Sequence, residues 1–396
     1  MAGLIAALGD PVLSGLWDIS TPDGADRRFR EAVFEQLPHR FRRPAANKYR
    51  QAFSAGGIPA ANAMLLDVAA VVQGAVGRIA GNDTELCEWS EKRARDCEKA
   101  AASIADQDNA YLVLCEIATR SGIAPPEIAK AMTVAGAVKR MCCVRWWRRQ
   151  ARKYQGRGVE GAAITLHMVH RRAELYASNE SVERRAGQKR RNRLMLESCI
   201  AVNELGDEYT LAELADLSVS NPKIRRGELM TRMAGFETVA KKAGHVGEFY
   251  TWTTPARMHA HMSASGGRNP GYDGTTPRAA QQYLCRQWSR ARAALGRLEI
   301  EVYGFRVCEP HHDGTPHWHM LFFMAPEHSA EVRRVLRRYA LQVDGNEPGA
   351  AKHRFTAVRI DPNRGTAAGR LAKYVARTSG GCGMGSVDED LFGRDP

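Results

Sequence analysis

The chain has 396 residues, enough for two domains or one large one with a real core. A hydrophobic share of 44% and a charged share of 26% are ordinary for a soluble globular protein. The formal charge of +13 is not, and it favours a polyanionic partner, either nucleic acid or an anionic membrane surface.

No apolar stretch reads as long enough to span a bilayer, and the N-terminal "MAGLIAALGDPVLSGLWD" has early acids and no basic leader. Nucleic acid is therefore the expected partner, and a membrane is not. Nine cysteines are scattered along the chain without CxxC spacing, which reads as reduced thiols in a cytosol.

From about 27 to 240 the pattern is helical. "AANAMLLDVAAVVQGAVGRIAG" and "NAYLVLCEIATRSG" carry apolar residues at helical spacing and end on glycine. Segment 139–193 holds 16 Lys and Arg against four acids. It is either a set of solvated helix faces or a DNA groove, in which Arg145, Arg148 and Arg149 contact phosphates. Trp146 and Trp147 can stack on unpaired bases, but adjacent tryptophans point different ways on a helix, so at least one belongs to a core. "TLAELADLSVSNPKIRRGELMTRMAGFETVAKKAG" reads as two helices broken at Asn221-Pro222.

The texture changes near 245. "EFYTWTT" (248–254) reads as a strand, and a Gly- and Asn-rich loop with Arg268 follows at 263–275. That loop either closes over single-stranded DNA or is a long connection. Thr276-Pro277 opens a helix, with Thr276 as N-cap. "IEVYGFRVCE" (300–309) and "HWHMLFFM" (317–324) read as strands joined by a tight turn at "HDGT". A helix ("SAEVRRVLRRYALQV"), a strand ("RFTAVRI"), a last helix ("TAAGRLAKYVARTS") and a partly acidic tail complete the chain. The expected class is α+β: a mainly α-helical, basic DNA-binding region at 1–240, then an antiparallel sheet with helices on one face at 241–380, and a tail at 381–396.

In a strand, residues two apart point to one face, so His317 and His319 project together while Trp318 and Met320 point into the core. Glu309 ends the partner strand, and the hairpin brings its carboxylate beside them. A two-histidine, one-carboxylate set suits a divalent metal with open positions. His311 and His312 fall in the turn and read as exposed or substrate-facing, and the His259/His261 pair sits in a loop-like context. On the last helix Arg370, Lys373, Tyr374 and Arg377 share one side at three- and four-residue spacing. Cations favour the phenolate, making Tyr374 a better nucleophile, or they clamp phosphate oxygens; a basic solvated face is the plain alternative. Together these pieces point to attack of a tyrosine on a phosphodiester beside a metal, giving a phosphotyrosyl protein–DNA adduct.

"EPHHDGTPHWHMLFF" resembles the central motif of HUH endonucleases, two histidines flanking one hydrophobic residue. More narrowly the chain is similar to the phage replication gene A proteins. The blocks carrying that likeness are "LADLSVSNPKIRRGELMTRMAGFE", "GHVGEFYTWTTPARMHA", "NPGYDGTTPRAAQQYLCRQW" and "GRLAKYVAR", with "RWWRR" fitting more loosely. The resemblance covers about 130 to 380. It implies an HUH domain and a rolling-circle initiator that nicks one strand at an origin and stays on the 5′ end. It puts metal ligation, by Mg²⁺ or Mn²⁺, on His317, His319 and Glu309, and the nucleophile on Tyr374. It implies single-stranded or locally melted origin DNA and a host replicative helicase as partners, in the bacterial cytoplasm. Two positions depart from the family. Arg370 stands where the family usually has the first tyrosine of a Y-x-x-x-Y pair, and Arg377 where it usually has lysine. With Tyr374 alone, ending a round needs water, a second subunit or another tyrosine. Two alternatives stay open: an origin-recognising DNA-binding protein without turnover, and a metal-dependent nuclease that uses water.

Overall fold

The computed structural model describes residues 24–73, 83–129, 132–170, 174, 176–262 and 267–361. Contacts divide the chain into two units, Met1–Gln188 and Lys189–Pro396.

The first unit is helical: α1 Gly24–Gln36, α2 His39–Gln73, α3 Asp83–Ala102, α4 Gln107–Arg120, α5 Val134–Met141 and α6 Val144–Thr165. Phe34, Phe41, Tyr49, Leu65 and Val68 of α1 and α2 pack with Ala162 and Ala163 of α6 in one core. Ala94, Cys97, Leu114, Met141 and Trp147 form a second. By length and composition α2 has one window apolar enough to cross a membrane, which the sequence reading did not pick out. It breaks at Gly56 and Gly57, where φ of Gly57 is +67°, and it places Phe41, Tyr49 and Leu65 in that core. Helix α7, Asn179–Glu197, crosses the boundary between units and buries none of its residues. Charge pairs at four-residue spacing, Arg184–Glu180 and Arg193–Glu197, support this mostly polar, exposed helix.

The second unit begins with a feature that the helical reading of 27–240 missed. Strands β1 Ile200–Val202 and β2 Glu208–Thr210 pair antiparallel, and three-residue strands are too short to show a period. Then α8 Leu211–Asp216 and α9 Pro222–Ala243 flank the expected break, with Asn221 as N-cap and Pro222 in the first turn. The main sheet holds β3 Val246–Trp252, β4 Tyr303–Pro310, β5 Pro316–Met324 and β6 Phe355–Arg359, in the order β4-β5-β3-β6 and antiparallel throughout. Helices α10 Pro277–Arg297, α11 Ser329–Ala340 and the short α12 Ala350–His353 complete it. The α+β class holds.

The sheet is covered on both faces, not one. Even positions of β5, Trp318, Met320, Phe322 and Met324, pack with α10 and α11. Odd positions Leu321 and Phe323 pack with Met233 and Ala240 of α9. Helix α9 therefore belongs to the sheet's unit. The observed division falls at Gln188/Lys189 rather than at the expected 240, and α9, which packs on β3, β4 and β5, lies on the sheet's side of it. Central β5 is buried on both sides, which is why "MLFFM" reads as a continuous apolar run. Where β4 meets β5, Gly304 has φ of +148°, and a Cβ there would lie 2.0 Å from the Leu321 carbonyl oxygen, so no other residue fits.

Candidate metal centre

The hairpin of β4 and β5 builds the site. His311 N–H donates to Thr315 O at 2.8 Å, Gly314 N–H to His311 O at 2.9 Å, and Thr315 N–H to Asp313 Oδ1 at 3.0 Å. Gly314 takes φ of +80°, which the Asp-Gly sequence anticipates. This turn sets the register Glu309↔His317 and Val307↔His319, so all three candidate ligands emerge on the α9 side of the sheet, at its end.

Glu309, His317 and His319 offer ligand atoms all within 4.8 Å of one another. His319 Nε2 is 3.6 Å and His317 Nε2 4.0 Å from Glu309 Oε2, and the two Nε2 atoms are 3.0 Å apart. The Glu309 carboxylate is nearly fully buried, and its Oε1 has no hydrogen-bond partner among the described residues. Burying a carboxylate oxygen without a donor is costly, so a cation suits this pocket. Burial, and then the neighbouring His311, His319 and His259, push the His317 imidazole down to about 3, which keeps its lone pair available at neutral pH. The buried oxygen and the N₂O donor set fit a divalent metal.

Around the ligands lies a shell that the sequence reading missed. Thr251 of β3 sits opposite His319, with Oγ1 3.2 Å from Nδ1, and Phe249 stacks on the same ring. His311 is half-buried, not exposed: its ring lies 4.2 Å from that of His317, and burial pushes it down to about 4. His312 is half-buried too. Both stay outside the ligand set. His259 Nδ1 lies 3.1 Å from Asp313 Oδ2, and its Nε2 lies 3.2 Å from Thr254 Oγ1. Burial works to raise the Asp313 carboxyl, but the His259 contact and the Thr315 hydrogen bonds outweigh it and hold the carboxyl well below its ordinary value. His259 thus braces the turn and lies outside the candidate Glu309/His317/His319 set. The available signal was an aspartate inside the turn and a histidine in the loop, but nothing local pairs positions 54 apart.

The loop after β3 is pinned over its described part. Asn269 Nδ2 donates to Ala256 O and His259 O, and Tyr272 Oη to Thr275 O. Arg268 is exposed and bridges to His261 through the backbone.

In the first unit the expected DNA-contacting residues separate. Trp147 is fully buried and its Nε1 donates to Met141 O at 2.6 Å, so it is core; Trp146 is half-buried edge-on against it. Arg148 pairs with Glu91. Arg145 and Arg149 are exposed, and Lys153 and Arg157 continue their line at four-residue spacing. At ~1.5 Å per residue the winding basic stripe is about 18 Å long. Arg370, Lys373, Tyr374 and Arg377, with the expected last helix and tail, lie outside the described residues.

Comparison with known proteins gives this geometry a context. The chain is 43% identical over 263 residues to the replication gene A protein of Escherichia phage 186, covering 66% of this chain and 38% of that protein. It is 42% identical over 242 residues to the probable replication protein P12 of Pseudoalteromonas phage PM2, covering 61% and 37%. It is 34% identical over 252 residues to a probable replication endonuclease from a prophage-like region of Salmonella typhi, covering 63% and 31%. The chain thus spans well under half the length of these relatives. No solved structure matches it. A profile of the bacteriophage replication gene A protein (GPA) family matches residues 83–381, which includes the whole Glu309/His317/His319 hairpin, and the chain belongs to that family.

Proposed function

We propose that the chain is the nicking part of a rolling-circle replication initiator, an HUH endonuclease that cuts one strand at an origin. The observation that carries this reading is the buried Glu309/His317/His319 set at the end of a hairpin within the family-matched segment. Glu309, His317 and His319 hold Mg²⁺ or Mn²⁺. When bound, the ion supplies Lewis acidity toward a phosphodiester oxygen.

The remaining chemistry belongs to the chain's own groups. Tyr374 Oη attacks phosphorus, forming a tyrosyl O–P bond as the P–O3′ bond breaks. The phenol gives up its proton and the departing 3′ oxygen takes one up. The products are a 5′-phosphotyrosyl bond and a 3′-OH primer, with Lys373 and Arg377 neutralising developing charge. Arg145, Arg149 and Arg268 bind phosphate, and Arg370 does so in the place of a first tyrosine. Locally melted origin DNA is the substrate, a host replicative helicase extends the opening, and the work is done in the bacterial cytoplasm.

The test is incubation with single-stranded origin DNA and Mn²⁺, resolved on a denaturing gel. The expected result is a covalent adduct that disappears with Tyr374→Phe. An adduct that survives refutes the nucleophile, cleavage without an adduct assigns the attack to water, and tight binding without any nick makes the protein a DNA-binding one.

A further inference from the structure

The basic balance of the chain is reversed between Arg193 and Lys223. Between Leu194 and Pro222 there is no Lys or Arg but there are six acids, in a chain of net charge +13. The same stretch holds ten of the nineteen large apolar side chains that stand exposed among the described residues. Leu205 is 88% exposed, Leu217 78%, and Ile200 and Val202 62% each. Single exposed apolar residues are ordinary, but half of them gathered on one short module are not.

The module is built rather than loose. β1 and β2 pair from Ile200↔Thr210 to Val202↔Glu208. Asn203 Oδ1 accepts from the Leu205 and Asp207 amides, and Gly206 takes φ of +86° to close the turn. Thr210 and Glu213 form a reciprocal capping box at α8. A two-stranded ribbon this short is marginal by itself, so a surface laid on its apolar side supplies burial that the unit does not. A preorganised surface also loses little entropy on docking.

Charge selects the occupant. Glu197 and Asp216 pair with Arg193 and Glu213 serves the cap, while Glu204 and Glu208 stand exposed beside Leu205 and Val202. Phosphate backbones and anionic lipid meet repulsion here and no cation within the stretch. We infer that residues 194–219 form a docking surface for a protein partner that presents an apolar strip rimmed by lysine and arginine. The surface is separate from the DNA chemistry proposed above and does not depend on it.

The probe is a labelled amphipathic peptide of leucine and lysine at helical spacing, with a leucine–glutamate counterpart, titrated into the full chain by fluorescence anisotropy. The basic peptide should bind, and hydrogen exchange should slow within 198–219. Leu205→Ser with Leu217→Ser should weaken binding at least tenfold; both side chains are exposed, so the fold is retained, as circular dichroism checks. The control Leu112→Ser with Leu298→Ser, at two other exposed leucines, should change nothing. Absent binding, equal binding of the acidic peptide, or equal loss in the control overturns the proposal. So does a loss of self-association in sedimentation with the first pair, which would make the occupant a second copy. Weakened binding to single-stranded DNA in that pair overturns it as well.

Discussion

Thr251→Val tests whether the sheet prepares His319 for a metal. For His319 Nε2 to offer its lone pair, the ring proton must sit on Nδ1, and Thr251 Oγ1 lies 3.2 Å away as its acceptor. His317 Nδ1 has no hydrogen-bond partner among the described residues, whereas His319 Nδ1 has Thr251. Valine keeps the shape, the β-branch and the strand preference, and removes only the acceptor. The lost hydrogen bond should cost about 0.5–1.5 kcal/mol of stability. Loss of a group that orients a metal ligand typically weakens metal affinity about 10–100-fold, which is about 1.4–2.8 kcal/mol. Calorimetric titration of chelator-stripped protein with Mn²⁺ measures it, with Thr251→Ser restoring the hydroxyl. Binding by the valine variant within about twofold of wild type, or a serine variant as weak as valine, refutes the reasoning.

Glu309→Gln keeps the volume but removes the only carboxylate of the set. It should abolish the rise in melting temperature caused by Mn²⁺ while leaving the metal-free midpoint within about 1 kcal/mol, since the unpartnered Oε1 forgoes no hydrogen bond. Arg145→Ala with Arg149→Ala should lower the slope of log affinity against log salt on single-stranded DNA by about 1.4, or ~0.7 per lost phosphate contact; Arg148→Ala, whose guanidinium pairs with Glu91, should leave the slope unchanged. The imidazoles of His311 and His317 titrate near 4 and 3 in the folded chain, against 6.5 ordinarily, so the unfolded chain binds more protons between those values. Their contribution is complete above pH 6.5 and is lost as pH falls toward 4 and 3. Denaturant midpoints in chelator should therefore drop from pH 7 to pH 4.5, and His311→Asn should flatten that drop. Glu248→Ala removes the fully buried carboxylate that accepts from Arg333 and from Tyr250 Oη at 2.8 Å. It should destabilise the sheet by about 1–3 kcal/mol, because Arg333 remains partly solvated, read from guanidinium melts.

How much of this was legible in the sequence depends on how far apart the partners lie in the chain. Glu309, His317 and His319 could be read because an Asp-Gly turn and a period of two are local facts, and together they set one register and one face. The same reasoning placed Trp318 and Met320 in the core and the helix break at Asn221-Pro222. It failed where a local pattern has two tertiary solutions. A charged run such as "RWWRR" states which side chains lie on α6. It does not state that Arg148 meets Glu91, 57 residues away, or that Trp147 fills a core while Arg145 and Arg149 face solvent. The run "MLFFM" demands burial without saying that α10 and α11 take its even positions and α9 its odd ones.

The sequence by itself therefore determined the grouping of the candidate ligands Glu309, His317 and His319, the hairpin that presents them and the α+β class, since backbone period and turn chemistry act over a few residues. The tertiary structure decided which groups stand behind these candidate ligands. Thr251 meets His319 across 68 residues and His259 meets Asp313 across 54, and such pairings arise only when whole faces pack, because close-packing, not local propensity, chooses long-range neighbours.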